Sequence, residues 1–129
     1  MKYFTNSYLN DYNTLKSSQI GFEFEFYSKI TYPNTIEVFG RELDKRIVGI
    51  KEYHPNQKPT NEEWLLTPDL SGGYSMCELI TSPLPYNEAR IYLLKILNII
   101  DKIGYTNERT GLHINISFTD PKVDIGKKY

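Results

Sequence analysis

Phe22, Phe24 and Phe26 alternate with Glu23 and Glu25 in the segment 18–28. A period of two puts the rings on one face and the carboxylates on the other, so a strand is predicted over Ser18–Ser28. Leu112, Ile114, Ile116 and Phe118 alternate in the same way with His113, Asn115 and Ser117, which predicts a strand over Leu112–Phe118. Trp64–Thr67 and Tyr74–Thr81 read as two further strands, the second closed by Ser82-Pro83 and Pro85. Leu43–Tyr53 alternates more weakly and is a fifth candidate. Between Asn87 and Ile103 the period becomes helical. Ala89, Leu93, Ile96, Leu97, Ile100 and Ile103 form an apolar stripe, with Lys95, Asp101 and Lys102 on the polar side. Asn87 is the expected N-cap, Glu88 suits the first turn and Gly104 stops the helix.

The intervening segments read as connections. Residues 1–18 are polar, rich in Asn and Tyr, and form an irregular arm. Residues 29–42 contain Pro33, Asn34 and Gly40 and read as a loop with at most a short helical turn. Pro55–Thr60 and Asp69–Gly73 read as turns, and residues 119–129 as a polar tail. Strands, one long helix and a final strand predict an α+β fold with a mostly antiparallel sheet and one packed helix, in a single domain over 1–129. Eleven tyrosines against one alanine agree with a strand-rich chain.

Charge narrows the function. Fifteen Lys and Arg against sixteen Asp and Glu leave a net charge of −1, without the basic excess that nucleic-acid binders carry. The longest apolar stretch, Ile96–Ile100, contains Asn98 and falls far short of the ~20 residues that cross a bilayer. The polar N-terminal residues do not resemble a signal peptide. One cysteine, Cys77, leaves no internal disulfide framework or cysteine-rich zinc site. These features predict a cytoplasmic protein without nucleic-acid or membrane partners.

Three segments carry candidate chemistry. On a strand, Glu23 and Glu25 project to one side roughly 6–7 Å apart, a spacing at which carboxylates repel unless a cation or solvent intervenes. Such oxygen donors suit Mg²⁺ or Mn²⁺; the same pattern also describes a strand with one wetted face. His113, Asn115 and Ser117 share one strand face, either lining a site or facing water from an edge strand. Glu78 interrupts an otherwise apolar strand, as a ligand or paired carboxylate does, although an edge-strand Glu facing water reads the same. The turn at Asp69 and Ser71 offers side-chain oxygens and backbone N–H groups, or is simply a turn. Together these segments place three carboxylates and a histidine on strands able to share one sheet face.

The order of Gly-Phe-Glu-Phe-Glu-Phe (21–26), Trp64, Asp69 with Ser71, Glu-Leu-Ile-Thr-Ser-Pro (78–83), a helix and Gly-Leu-His-Ile-Asn (111–115) resembles the amidoligase family. That family is related to glutamine synthetase and the glutamate–cysteine ligases, and the resemblance covers about residues 20–118. It implies part of a glutamine synthetase-like catalytic domain and an ATP-dependent carboxylate–amine ligase. In that reaction a carboxylate takes the γ-phosphoryl group of ATP as an acyl phosphate, and an amine then displaces phosphate. By the resemblance Glu23, Glu25 and Glu78 are metal ligands for Mg²⁺ or Mn²⁺, and His113 ligates a metal or contacts phosphate. Glu78 and Arg109 have catalytic roles, and Asp69, Ser71 and Asn115 contact substrate. The implied partners are a nucleotide and a small carboxylate, amine or peptide substrate.

The sequence departs from the family pattern at Leu70, where a Gly is usual, and at Asn115, where a second His is usual. Family members also extend beyond the last strand with further strands, another acidic ligand and phosphate-gripping basic residues. Arg109, just ahead of Gly111, is the best placed of the arginines to serve in their stead. Two expectations follow. One is the N-terminal part of a ligase site, completed by a second chain or by self-association. The other is a non-catalytic binding or structural module, such as a viral or phage assembly subunit located in the virion. Beside these two stands a metal-dependent hydrolase using the same carboxylates to activate water.

Overall fold

The computed structural model describes residues 18–49, 59–60, 62–68 and 76–118. Their order is β1 (Ser18–Ser28), α1 (Tyr32–Leu43), β2 (Arg46–Gly49), β3 (Glu63–Pro68), β4 (Met76–Ile80), β5 (Leu84–Pro85), α2 (Tyr86–Ile103), β6 (Gly104–Tyr105) and β7 (Leu112–Phe118). The fold is α+β, with a mostly antiparallel sheet. Only β2 and β3 run parallel.

β1 is the central strand. It pairs with β4 and β5 along one edge and with β7 and β6 along the other. Its phenylalanines face the helices and form the core with Trp64, Leu66 and Leu79 of the neighbouring strands and Phe39, Ile96 and Ile100 of the helices. Trp64 is fully buried, donates from Nε1 to Ser82 Oγ at 3.0 Å and meets the edge of Tyr92 at 5.0 Å. Trp64, part of the motif order above, therefore serves the core. Cys77 also lies in the core, where burial pushes its thiol up to about 11.

Two sequence expectations need correction here. Residues 29–42 are mainly a helix, not a loop. Thr31 caps α1 by accepting from Asn34 N–H, and Pro33 falls in the first turn, where a missing N–H costs nothing. Tyr32, Thr35, Ile36, Phe39 and Leu43 then return at helical spacing, and Asp44 ends the helix in the left-handed region at φ 51°. Consequently Leu43 closes a helix instead of opening a strand, and the described part of that strand is β2 alone. The second correction concerns the stripe on α2. Ala89, Ile96, Ile99 and Ile100 are buried, whereas Leu97 is 44% exposed. The helix begins one residue before Asn87, with Pro85 at the N-cap and no side-chain cap. The arm over 1–17, Asp69–Gly73 and the tail over 119–129 lie outside the described residues. No described helix is long and apolar enough to cross a membrane.

The pairing of β1 shifts by one residue between β4 and β5. Glu23 faces Ile80, but Ile20 faces Leu84, so the partner chain carries one extra residue between them, as in a β-bulge. Thr81 closes this irregularity. Its N–H donates to Phe22 O, and its Oγ1 accepts from Phe22 N–H at 3.0 Å while donating to Ser82 O. Thr81→Val keeps the shape and strands the buried Phe22 N–H. It is expected to cost about 1–3 kcal/mol in urea unfolding; a loss within a few tenths would show that the hydroxyl is dispensable.

Candidate functional site

The face of β1 opposite the helices carries Gln19, Gly21, Glu23, Glu25 and Tyr27, because alternate residues share a side. Register then decides what each one meets. On β4, Glu78 stands directly opposite Glu25, and on β3 Thr67 stands opposite Glu78. On β7, His113 faces Glu23, Asn115 faces Gly21 and Ser117 faces Gln19. At the far end Tyr27 faces Tyr105, with the rings stacked at 5.0 Å. Glu23, Glu25, Glu78 and His113 thus occupy one face of three adjacent strands.

Two cross-strand pairs result. His113 Nδ1 lies 3.4 Å from Glu23 Oε2, with the side chains 62% and 36% exposed. At such exposure the pair adds little stability, and its effect is to orient the imidazole. Glu25 and Glu78 form the other pair. Directly opposed residues hold their Cβ atoms about 4.5–5.5 Å apart, so two ionised carboxylates there repel. Glu25 N–H donates to Gly111 O at 2.9 Å, which ties the start of β7 to this position.

Beside the carboxylates is a cleft of about 270 Å³ whose lining includes Gln19, Gly21, Glu23, Thr81, Asn115 and Ser117. Gly21 gives it a floor without a side chain. A Cβ there would come no closer than 4.0 Å to Pro83, so the floor has room for a methyl group. The volume falls just below the ~300–1,000 Å³ of small-molecule sites, enough for part of a substrate. The sequence reading did not include Gly21, Gln19 or Thr81 in the site. Gly21 and Gln19 could have been found by extending the period-two row of Glu23 and Glu25 toward the start of the strand.

The remaining candidates are placed differently. Asp69 and Ser71 lie outside the described residues. Arg109 sits in an exposed turn, its N–H donating to Asn107 Oδ1, and no ion pair joins it to a carboxylate among the described residues. That turn is held by Thr110, whose N–H donates to Asn107 O and whose Oγ1 accepts from Asn107 N–H. For a metal, the donor set of carboxylate oxygens with one imidazole fits a hard divalent cation. Among the described residues, however, no three His, Cys, Asp or Glu side chains are drawn together as a ready-made ligand group. Comparison with protein-family models, with curated proteins and with solved structures finds no match.

Proposed function

We propose that this chain carries the carboxylate face of an ATP- and divalent-metal-dependent carboxylate–amine ligase, in a glutamine synthetase-like catalytic domain. The observation that supports this reading is the register that sets Glu25 against Glu78 and Glu23 against His113 on one sheet face. Glu25 and Glu78 would hold Mg²⁺ or Mn²⁺, with Glu23 as a further ligand once it releases His113. The cation would neutralise phosphate charge on the nucleotide. Asn115, on the cleft wall, would orient the carboxylate or amine substrate by hydrogen bonding, as would Asp69 and Ser71 from their turn. Arg109 would swing from its turn toward the transferring phosphoryl group. A reducing, cytoplasmic setting suits the single buried thiol.

Thermal unfolding of the whole chain with and without Mn²⁺ and an ATP analogue tests the reading. A ligand that binds only the folded state raises the midpoint. Glu25→Gln is expected to be neutral or slightly stabilising without metal, because it relieves the repulsion with Glu78, and to abolish the metal-dependent rise. An equal rise in wild type and variant would remove Glu25 from the site. No rise in either would remove the metal reading.

A second reading is an assembly module of a virion that retains this face without turnover. It is supported by the uncovered apolar row of β7, where Leu112, Ile114 and Ile116 are 42%, 50% and 46% exposed.

A further inference from the structure

Among the described residues, β7 presents a row of exposed apolar side chains. Leu112, Ile114 and Ile116 stand on the helix-facing side of the sheet, opposite Phe24, Phe22 and Ile20 of β1. Those three partners are buried, yet the β7 residues themselves are exposed. α2 packs on β1, β5 and β6. Tyr92 of α2 leans toward β3 through Trp64. At 100° per residue Leu97 lies about 140° round the helix from Tyr92, on the flank turned toward β7. Leu97 is 44% exposed. The helix flank and the strand row therefore border one apolar trough.

The backbone edge beside this trough is unprotected. Glu25 N–H bonds to Gly111 O, so in antiparallel alternation Gly111, His113, Asn115 and Ser117 turn their N–H and C=O groups toward β1. Leu112, Ile114, Ile116 and Phe118 turn theirs outward, and among the described residues no strand pairs with them. Edge strands are normally guarded by charge, proline or a bulge. β7 has no Asp, Glu, Lys, Arg or Pro, and its register with β1 is continuous.

We propose that the occupant of this edge is a second copy of the chain, joined β7 to β7 about a two-fold axis at Asn115. The residues alternate symmetrically about that point. Antiparallel pairing sets Ile114 against Ile116 of the partner subunit and Leu112 against Phe118 of the partner subunit. Apolar meets apolar on the trough side, while His113 meets Ser117 of the partner subunit on the carboxylate side. No like charges are opposed anywhere along the strand. The register also uses the correct backbone groups, because the even-numbered residues that point outward become the hydrogen-bonded pairs and Asn115 becomes a non-hydrogen-bonded pair. The four trough residues expose on the order of 300–400 Å², within the range of the largest patch on a typical monomer. The exposed polar side chains and backbone of β7 carry this toward the ~800 Å² per partner of a stable interface. The pairing would fuse the two carboxylate faces into one surface across the axis. This inference stands whether or not the ligase reading does.

Sedimentation equilibrium of the full chain measures the association. A dimer is expected, and Ile116→Pro should weaken it at least tenfold. That variant removes an outward N–H and leaves the β1 ladder intact, so its circular dichroism should match wild type. Ile114→Lys serves as a second variant with every backbone group retained, and should weaken the dimer likewise. Asn115→Cys places two thiols at Cα atoms about 4.5 Å apart, within disulfide reach, and should cross-link under mild oxidation where wild type does not. A monomeric wild-type chain overturns the proposal, whether the Ile114 and Ile116 amides exchange freely or are protected by another part of the chain. A dimer unaffected by both edge variants overturns it as well.

Discussion

Gly104→Ala is expected to destabilise the chain by at least ~2–3 kcal/mol, the upper range for forcing an extra methyl group into a packed position. Gly104 ends α2 and immediately enters β6. Its N–H donates to Ile100 O, and it lies opposite Ser28 on β1. A Cβ built there falls 2.2 Å from Tyr27 O and 3.3 Å from the Phe26 ring. The first neighbour is backbone in the central strand and cannot turn aside as a side chain would. Its φ of −155° is extended backbone open to any residue, so the requirement is for space alone. Relief demands that β6 separate from β1, which also loosens the bond from Lys29 N–H to Ile103 O. Urea unfolding of the variant measures the loss. A cost below ~1 kcal/mol would mean that this junction opens freely.

Gly104 also illustrates what the chain made legible. As a helix stop it was readable, because an apolar stripe at helical spacing ended there. Its close approach to Tyr27 was not, since it depends on which strand lies across from it. The same division holds throughout. Ser18–Ser28 and Leu112–Phe118 were readable to the residue, because strict alternation leaves one choice of face. α1 was misread because Pro33, Asn34 and Gly40 are breakers by composition. Here one of them occupies the only helical turn that tolerates it, and Gly40 sits in the last turn beside the Asp44 cap. At the site, the sharing of a face by Glu23 and Glu25 followed from period two. The opposition of Glu25 to Glu78 is a matter of register between strands fifty residues apart, which no local pattern encodes. Thr81 and Ser82 belonged to a motif with a chemical reading; the structure gives them structural bonds to Phe22 and Trp64.

The helix stripe supplies the other large effect, and it separates two adjacent residues. Ile96→Ala is expected to cost ~2–5 kcal/mol, because Ile96 is fully buried among the phenylalanines of β1 and the deletion leaves a cavity. From sequence alone Leu97 belongs to the same stripe and earns the same expectation. Its 44% exposure halves the area it removes from water, so Leu97→Ala in the isolated subunit should cost under ~1 kcal/mol. Helical geometry explains the reversal. The sheet side of α2 is centred between Tyr92 and Leu93, which brings Ile99 into the core and rotates Leu97 onto the flank beside β7. Concentration makes the comparison sharper. If β7 pairs with a second copy, the cost of Leu97→Ala should rise with protein concentration as the trough is covered, while that of Ile96→Ala is carried by the monomer core at every concentration. Denaturation of both variants across a dilution series reads this directly. Equal costs for the two residues at high dilution would show that α2 packs with a different face than the one described.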